Sequence, residues 1–407
     1  MINATKNLEG NSTKLIDYDI NPPHITKYMG SKKQILEFVI QGIQDSYLGG
    51  YVCDLFAGSA AIAGALRNSA PVFSNDIQNY SSFLANTYLS DYRWDENPKI
   101  LAEVIEKATE RANRFFDAFP NLSFSYEQAI PLEKFQKTEK EQQELVFYDF
   151  SQFDYHLFTK YYSGTYWSYN QCVWIDALRA VADDYKHTAY YYPIISSLMF
   201  AMSYNSQSTG HYAQYRDPNT IESMNDIRIY RQKEILPYFQ RKFEELQQVL
   251  GRNSFEHKVT ALDYLDCLDL IEPNTTVYAD PPYCFVHYSR FYHAIETLVR
   301  YDYPDVKYKG RYRTDRHQSP FCIRTKVKKA FEEMFHKIKF KEANLVLSYS
   351  NTGMISLDDL QQVAELTFGN TYTIEVRSLD YLHSTMGRKE DKNREVEEWL
   401  LLARMSN

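Results

Sequence analysis

Apolar residues Ile35, Phe38, Val39 and Ile43 recur at helical spacing behind the basic, glycine-containing stretch HITKYMGSKK, so residues 24–45 predict a loop feeding a helix. The pattern then shortens. Residues 51–56 form a compact apolar run closed by Ala57-Gly58-Ser59-Ala60, and a small-residue helix over 61–66 leads to a second run, Val72-Phe73-Ser74-Asn75-Asp76. This is strand, turn, helix, strand, with Asp54 and Asp76 at the strand ends. From about residue 85 to 250 long helical patterns replace it, including 100–116, 192–202 and 229–250, broken by a tyrosine-rich stretch over 155–174. Strand patterns resume at 257–260, 276–280, 343–348 and 396–402. The order predicts an α/β fold interrupted by a mainly helical insertion. Its divisions are a leader over 1–23, a first sheet portion over 24–88, the insertion over 89–255 and a second sheet portion over 256–407.

Composition narrows the class. With 407 residues there is room for two or three folding units, and 44% hydrophobic with 24% charged residues is the balance of a globular protein rather than a disordered or fibrous one. The most apolar stretch, 192–202, is too short to cross a bilayer, and residues 1–19 lack the apolar core of a signal peptide, so the expected location is cytoplasmic. Cys53, Cys172, Cys267, Cys284 and Cys322 are scattered without metal-ligand spacing, so neither a disulfide framework nor a metal is expected. A net charge of -8 argues against a surface that is basic throughout. Residues 307–341 nevertheless carry twelve Lys/Arg against three Asp/Glu, which reads either as a solvated helix face or as a phosphate-contacting surface.

Two constellations carry chemistry. In the first, Gly58 at the turn after Asp54 lets a ligand approach the backbone, and Asp76, 22 residues on, is placed to reach the hydroxyls of a ribose. Small residues there also serve tight helix packing. In the second, Asp280-Pro281-Pro282-Tyr283 follows a strand directly. Two prolines fix a rigid loop, which is either a plain turn or a holder for an aromatic amine, whose delocalised lone pair makes it a poor nucleophile. A carboxylate and a carbonyl held there would accept the two amine hydrogens and favour a nucleophilic geometry, with the tyrosine stacking on the base.

TKYMGSKK, DLFAGSA, the strand-end Asp76 and YADPPY after a long insertion together resemble the Dam-like, adenine-specific DNA methyltransferases, the alpha group of amino-methyltransferases. The segment HYSRFYHAIETLVRYDYPDVKYKGRYRTDRHQSPFC is similar to longer members that accompany restriction enzymes. The resemblance implies the class I methyltransferase fold, a Rossmann-like, doubly wound mixed sheet, and S-adenosylmethionine as cofactor, contacted by Tyr28, Lys32, Asp54, Phe56, Gly58, Asp76 and Asp263. For Asp263 a helix N-cap is an equal reading. Asp280, Pro281, Pro282 and Tyr283 would hold a flipped adenine for direct transfer to its 6-amino group, with no covalent intermediate. Cys284 follows the tyrosine rather than a proline, so it is incidental, and no histidine is needed as a base. Asn205, in a polar run over 203–212, and Lys309, Arg311, Arg313, Arg316 and Arg324 are the expected DNA-contacting residues. Duplex DNA is the expected partner of a monomer, with a cognate restriction endonuclease acting separately. The rival readings are an RNA adenine or protein-glutamine methyltransferase and a non-catalytic DNA-binding subunit of the same fold.

Overall fold

The computed structural model of the chain describes residues 18–27, 35–207, 211–283, 287–383 and 394–406. In chain order the strands are β1 (Val52–Asp54), β2 (Val72–Asn75), β3 (Lys258–Thr260), β4 (Thr276–Ala279), β5 (Val306–Lys307), β6 (Tyr312–Arg313), β7 (Asn344–Ser350), β8 (Tyr372–His383) and β9 (Arg394–Met405). The helices of the first half are α1 (Leu36–Ser46), α2 (Ala61–Leu66), α3 (Asn79–Leu89), α4 (Ile100–Ala118), α5 (Leu132–Gln143), α6 (Leu157–Tyr162) and α7 (Tyr169–Asp183). Those of the second half are α8 (Tyr191–Asn205), α9 (Ile221–Arg231), α10 (Ile235–Val249), α11 (Tyr264–Asp269), α12 (Tyr288–Phe291), α13 (His293–Arg300), α14 (Val327–Phe340) and α15 (Leu357–Phe368).

Seven strands form one sheet in the order β3-β2-β1-β4-β7-β9-β8, and β5 and β6 make a small separate hairpin. The pairs from β3 through β7 are parallel, and β9 runs antiparallel to both of its neighbours. This is the expected mixed, mostly parallel, doubly wound sheet. Strand alternation sends neighbouring residues to opposite faces. Val52, Val72, Tyr278, Val346 and Leu400 join one core with α1, α2 and α3, while Cys53, Phe73, Val277, Leu345 and Leu401 join a second with α11, α14 and α15.

The helical stretch between β2 and β3 keeps two small clusters to itself, around Phe115 and Phe135, but shares its main core with the sheet. Ile194, Leu198, Met199 and Met202 of α8, with Phe239 and Phe243 of α10, belong to the same cluster as α1 to α3. Trp167, fully buried, donates its Nε1–H to the carbonyl of Met202 at 3.1 Å. Two elements differ from the sequence expectation. The single helix over 229–250 is broken at 232–234 into α9 and α10, which puts Pro237 in the first turn of α10, where a missing amide hydrogen costs nothing. Strand β8 was not foreseen, although Tyr372-Thr373-Ile374-Glu375-Val376-Arg377 alternates; it is the outer edge of the sheet, and its polar positions pair along that edge, as Glu375 does with Arg377 and Arg404.

Candidate active site

Strand ends build the site. Parallel pairing sets Asp54 of β1 beside Ser74 of β2 and Tyr278 of β4, so the segments that leave these strands, 55–60, 76–78 and 280–283, emerge at one edge of the sheet. The turn 57–60 is tight: Gly58 has φ 51° and Ala60 φ 58°, and the alanine accepts a left-handed conformation that costs an L-residue about 1–2 kcal/mol. Around these segments lies a cleft of about 1070 Å³, part of it open to solvent. Asp54, Phe56, Gly58, Asp76, Asp263, Asp280, Pro281, Pro282 and Tyr283 all line it. Thus the structure brings nine of the sequence-predicted residues together. Tyr28, Lys32 and Cys284 lie outside the described residues.

Asp76 is held on both oxygens. Its Oδ2 accepts from the Gly58 amide at 2.9 Å and its Oδ1 from the Gln78 amide at 2.8 Å. Desolvation pushes its carboxyl up to about 6, against the opposing pull of those two amides, and the charge of Glu296 adds to the rise. Asp54 is buried, and its Oδ1 has no hydrogen-bond partner among the described residues. Burial, then the charges of Asp280 and Asp76, raise its carboxyl well above the usual range. Three carboxylates crowding one cleft favour a ligand that brings positive charge and hydroxyl donors.

The opposite wall is aromatic and rigid. Phe56 stacks on Tyr264 with ring centroids 5.8 Å apart and meets Phe321 edge-on at 5.4 Å. Tyr283 packs edge-on against Tyr349 at 5.7 Å, and the Cys322 thiol donates to the carbonyl of Pro282 at 3.6 Å, so the proline loop is braced from behind. Asp263 lines the cleft, and its Oδ1 caps α11 by accepting from the Leu265 amide at 3.0 Å, as the N-cap reading expects. His287 and His317 also line the cleft, and burial lowers both imidazoles, which keeps them neutral near pH 7.

Residues 28–351 match the family model described as D12 class N6 adenine-specific DNA methyltransferase. The chain belongs to this family. Modification methylase LlaI of Lactococcus lactis subsp. lactis is 24% identical over 364 residues, covering 87% of this chain and 51% of that protein. Modification methylase StsI of Streptococcus sanguinis is 22% identical over 384 residues, 92% of this chain and 51% of that protein. The chain therefore spans about half the length of these two relatives. Type II methyltransferase M.NlaIII of Neisseria lactamica is matched more evenly, at 22% identity over 377 residues, 90% of this chain and 94% of that protein.

Two residues of this D12 methyltransferase that sequence reading passed over hold the cleft in shape. Asn75, buried, donates from Nδ2 to the carbonyls of Leu55 and Leu262 and accepts at Oδ1 from the Thr260 hydroxyl and the Leu262 amide, so one side chain ties three strand ends together. Its only sequence signal is a polar residue inside an apolar strand. Glu296 of α13 accepts from the Asn79 side chain at 2.8 Å and the Tyr80 amide at 3.0 Å, capping α3, whose own N-cap Gln78 makes no side-chain capping bond. It sits 217 and 216 positions from its partners, beyond any local pattern.

The expected DNA-contacting residues lie outside this cleft and differ in their surroundings. Arg313 is buried between Asp302 and Asp315, and Lys309 pairs with Asp217. Arg311 donates to the carbonyl of Gln143 at 3.2 Å, Arg316 lies over the Tyr312 ring at 5.3 Å, and Arg324 is exposed. Asn205 ends α8, fully buried, with its Nδ2 donating to the Ala201 carbonyl at 2.7 Å.

Proposed function

We propose that the chain transfers a methyl group from S-adenosylmethionine to the 6-amino group of adenine in duplex DNA, acting on a nucleotide flipped out of the helix. The observation that carries this reading is the meeting in one cleft of the acidic strand ends Asp54 and Asp76 with the Asp280-Pro281-Pro282-Tyr283 loop. The residues present suit the cofactor: Asp76 would accept from the ribose hydroxyls, Asp263 would stand at the adenine, Phe56 and Gly58 would line the methionine portion with Tyr28 and Lys32, and the unsatisfied oxygen of buried Asp54 suits a cationic neighbour. When bound, the cofactor supplies an electrophilic methyl carbon on a positively charged sulfur.

The protein's part is orientation. Extruding a base costs a few kcal/mol, and a stack on Tyr283 offsets about 1–3 kcal/mol of it. The Asp280 carboxylate and a carbonyl of the proline loop accept the two amine hydrogens, which turns the nitrogen lone pair out of the ring and toward the methyl carbon. As the nitrogen gains its new bond, the methyl carbon's bond to sulfur would break with its electron pair left on a now neutral sulfur; the nitrogen becomes cationic, and the Asp280 carboxylate would stabilise that charge and pass the departing proton to water. Neutral His287 and His317 fit a reaction that needs no strong base before attack.

Residues 24–88 and 256–407 form the methyltransferase portion in this reading, and 89–255 the target-recognition portion. Arg316 and Arg324, which make no ion pair among the described residues, are the members of the basic segment best placed to meet phosphates, with Lys309, Arg311 and Arg313 shaping the segment and Asn205 anchoring the run that follows α8. The names of the relatives, modification methylases, support a modification role, and the partner that this reading expects is a cognate endonuclease acting separately. The test is methyl transfer from labelled cofactor to duplex DNA followed by nucleoside separation, for wild type and Asp280→Ala. Labelled 6-methyladenine from wild type alone is expected. Transfer to RNA or protein with none to duplex DNA would overturn the substrate, and full activity of the variant would overturn the role of Asp280.

A further inference from the structure

Many cations of this protein are matched by carboxylates, among them Arg111, Arg216 and Arg231 with Asp184, Asp226 and Glu139. Even in the basic run, Lys309, Arg313, Lys329 and Lys337 pair with Asp217, Asp302, Glu333 and Asp269. Among those that are not, one group is gathered on neighbouring tyrosine rings. Lys27 lies 4.3 Å over the Tyr204 ring, Lys233 lies 4.2 Å over Tyr230 and 5.9 Å over Tyr238, and Arg241 lies 5.1 Å over Tyr238. The Tyr204 and Tyr238 rings stack at 6.3 Å, joining the three cations into one platform on α8, α9 and α10. None of the three has an ion-pair partner among the described residues; Lys233 donates instead to the carbonyl of Tyr204 at 3.1 Å. Neighbouring Lys242 is different, being buried and paired with Glu245.

Such an arrangement is costly without an anion. Arg241 is exposed and the two lysines half-buried, so the heads are accessible while partly desolvated. Burial lowers both lysines from their usual range, and the charge of Lys233 presses further on Lys27. An anion laid across them relieves the repulsion. Tyrosine rings hold the cations in fixed positions by the attraction of their faces, so little order is lost when a phosphate arrives. Several singly charged groups in a row, rather than one converging pocket, match a repeating polyanion better than an isolated phosphate. The position agrees: Thr26, beside Lys27, meets Ser203 of α8 at 3.1 Å, so the platform adjoins the segment expected to reach the cofactor and the run after α8 expected to face DNA.

We propose that Lys27, Lys233 and Arg241, set on Tyr204 and Tyr238, form a contact surface for the phosphodiester backbone of the DNA substrate. This rests on the DNA reading given above. The surface positions the duplex without reading its sequence, since backbone contacts carry no base information.

The experiment is binding of a duplex of about 30 base pairs over a salt series, for wild type, Lys233→Gln, Arg241→Gln, the double variant and Lys233→Arg, alongside methyl transfer to the same duplex. Each lost phosphate contact takes about 0.9 from the slope of log affinity against log salt and weakens binding roughly five-fold near 0.15 M salt. Lys233→Gln and Arg241→Gln are expected to do so on any sequence, additively in the double variant, with Lys233→Arg near wild type and cofactor affinity unchanged in all. Lys329→Gln and Lys337→Gln, whose charges are already paired, should leave the slope alone. Unchanged slopes in the platform variants, with wild type binding and methylating the duplex, would overturn this surface and leave the enzymatic reading intact. A wild type that neither binds nor methylates duplex DNA would overturn both.

Discussion

In the proposed reading Asp76 meets two demands, burial in the free protein and a hydrogen bond to the cofactor in the complex. Its carboxyl is pushed up to about 6 by desolvation, so in the free protein the stability it contributes is fully present below its ordinary value of about 4 and is lost as pH rises through 6. A ribose diol prefers the carboxylate as acceptor, so cofactor affinity should rise with pH between about 5 and 7 and then level. Calorimetric titration over that range checks this, and Asp76→Asn should remove the rise and weaken binding about 10- to 100-fold, the value of hydrogen bonds to a charged acceptor. Asn75, next to it, acts on stability instead. Asn75→Ala would strip partners from the Leu55 and Leu262 carbonyls and from the Leu262 amide, and a loss of about 3 kcal/mol in urea unfolding is expected. The acid at the strand end was legible in the sequence because its spacing from Asp54 has a mechanism. The asparagine was not, because its meaning lies in three strand ends that only the folded sheet brings together.

At the scale of elements, α3 depends on α13. The helix that starts beside Asp76 is capped by Glu296, which belongs to the half of the chain that follows the Asp280-Pro281-Pro282-Tyr283 loop. Between that loop and α13 stand His287, Tyr288 and Ser289, all on the cleft wall. Glu296→Ala should cost about 1 kcal/mol of stability through the lost cap and weaken cofactor binding at every pH. Glu296→Gln keeps an acceptor but removes the charge that helps raise Asp76, so the rise of affinity with pH should move to lower pH with little loss of stability. Unaltered pH profiles in both variants would separate α13 from the acid. Strand and turn signals over residues 51–60 and 276–283 were readable because apolar run, glycine and prolines are local; the trans cap spans more than two hundred positions and leaves no local trace. For the same reason the basic run looked freer by count than it is, since Asp217 and Asp269, which neutralise two of its lysines, lie outside its window.

For the whole molecule, the order of motifs around a long insertion was enough to anticipate two layers of helices on a mixed sheet, but not that the insertion shares its core with one layer. Long amphipathic helices read alike whether they cover a core of their own or another element's, and only the packing of α8 against α3 and α10 distinguishes the two. Ile194, Leu198 and Met202 sit in one cluster with Val52 and Val346 of the sheet, so the insertion cannot open without exposing apolar surface of the sheet layer. Burial at about 25 cal/mol per Å² makes such opening costly, and the two portions should unfold together. Buried cysteines report this directly: Cys172 lies on α7 in the insertion, whereas Cys53 and Cys267 lie on β1 and α11 against the opposite face of the sheet. In thiol labelling across a urea series, read peptide by peptide, all three should become reactive at one midpoint. Reactivity of Cys172 at clearly lower urea than Cys53 would mean that the insertion opens by itself, without loosening the cleft; a common midpoint ties the two, and on the proposed reading a duplex held by the helices would then tighten the same core on which Asp54 and Asp76 stand.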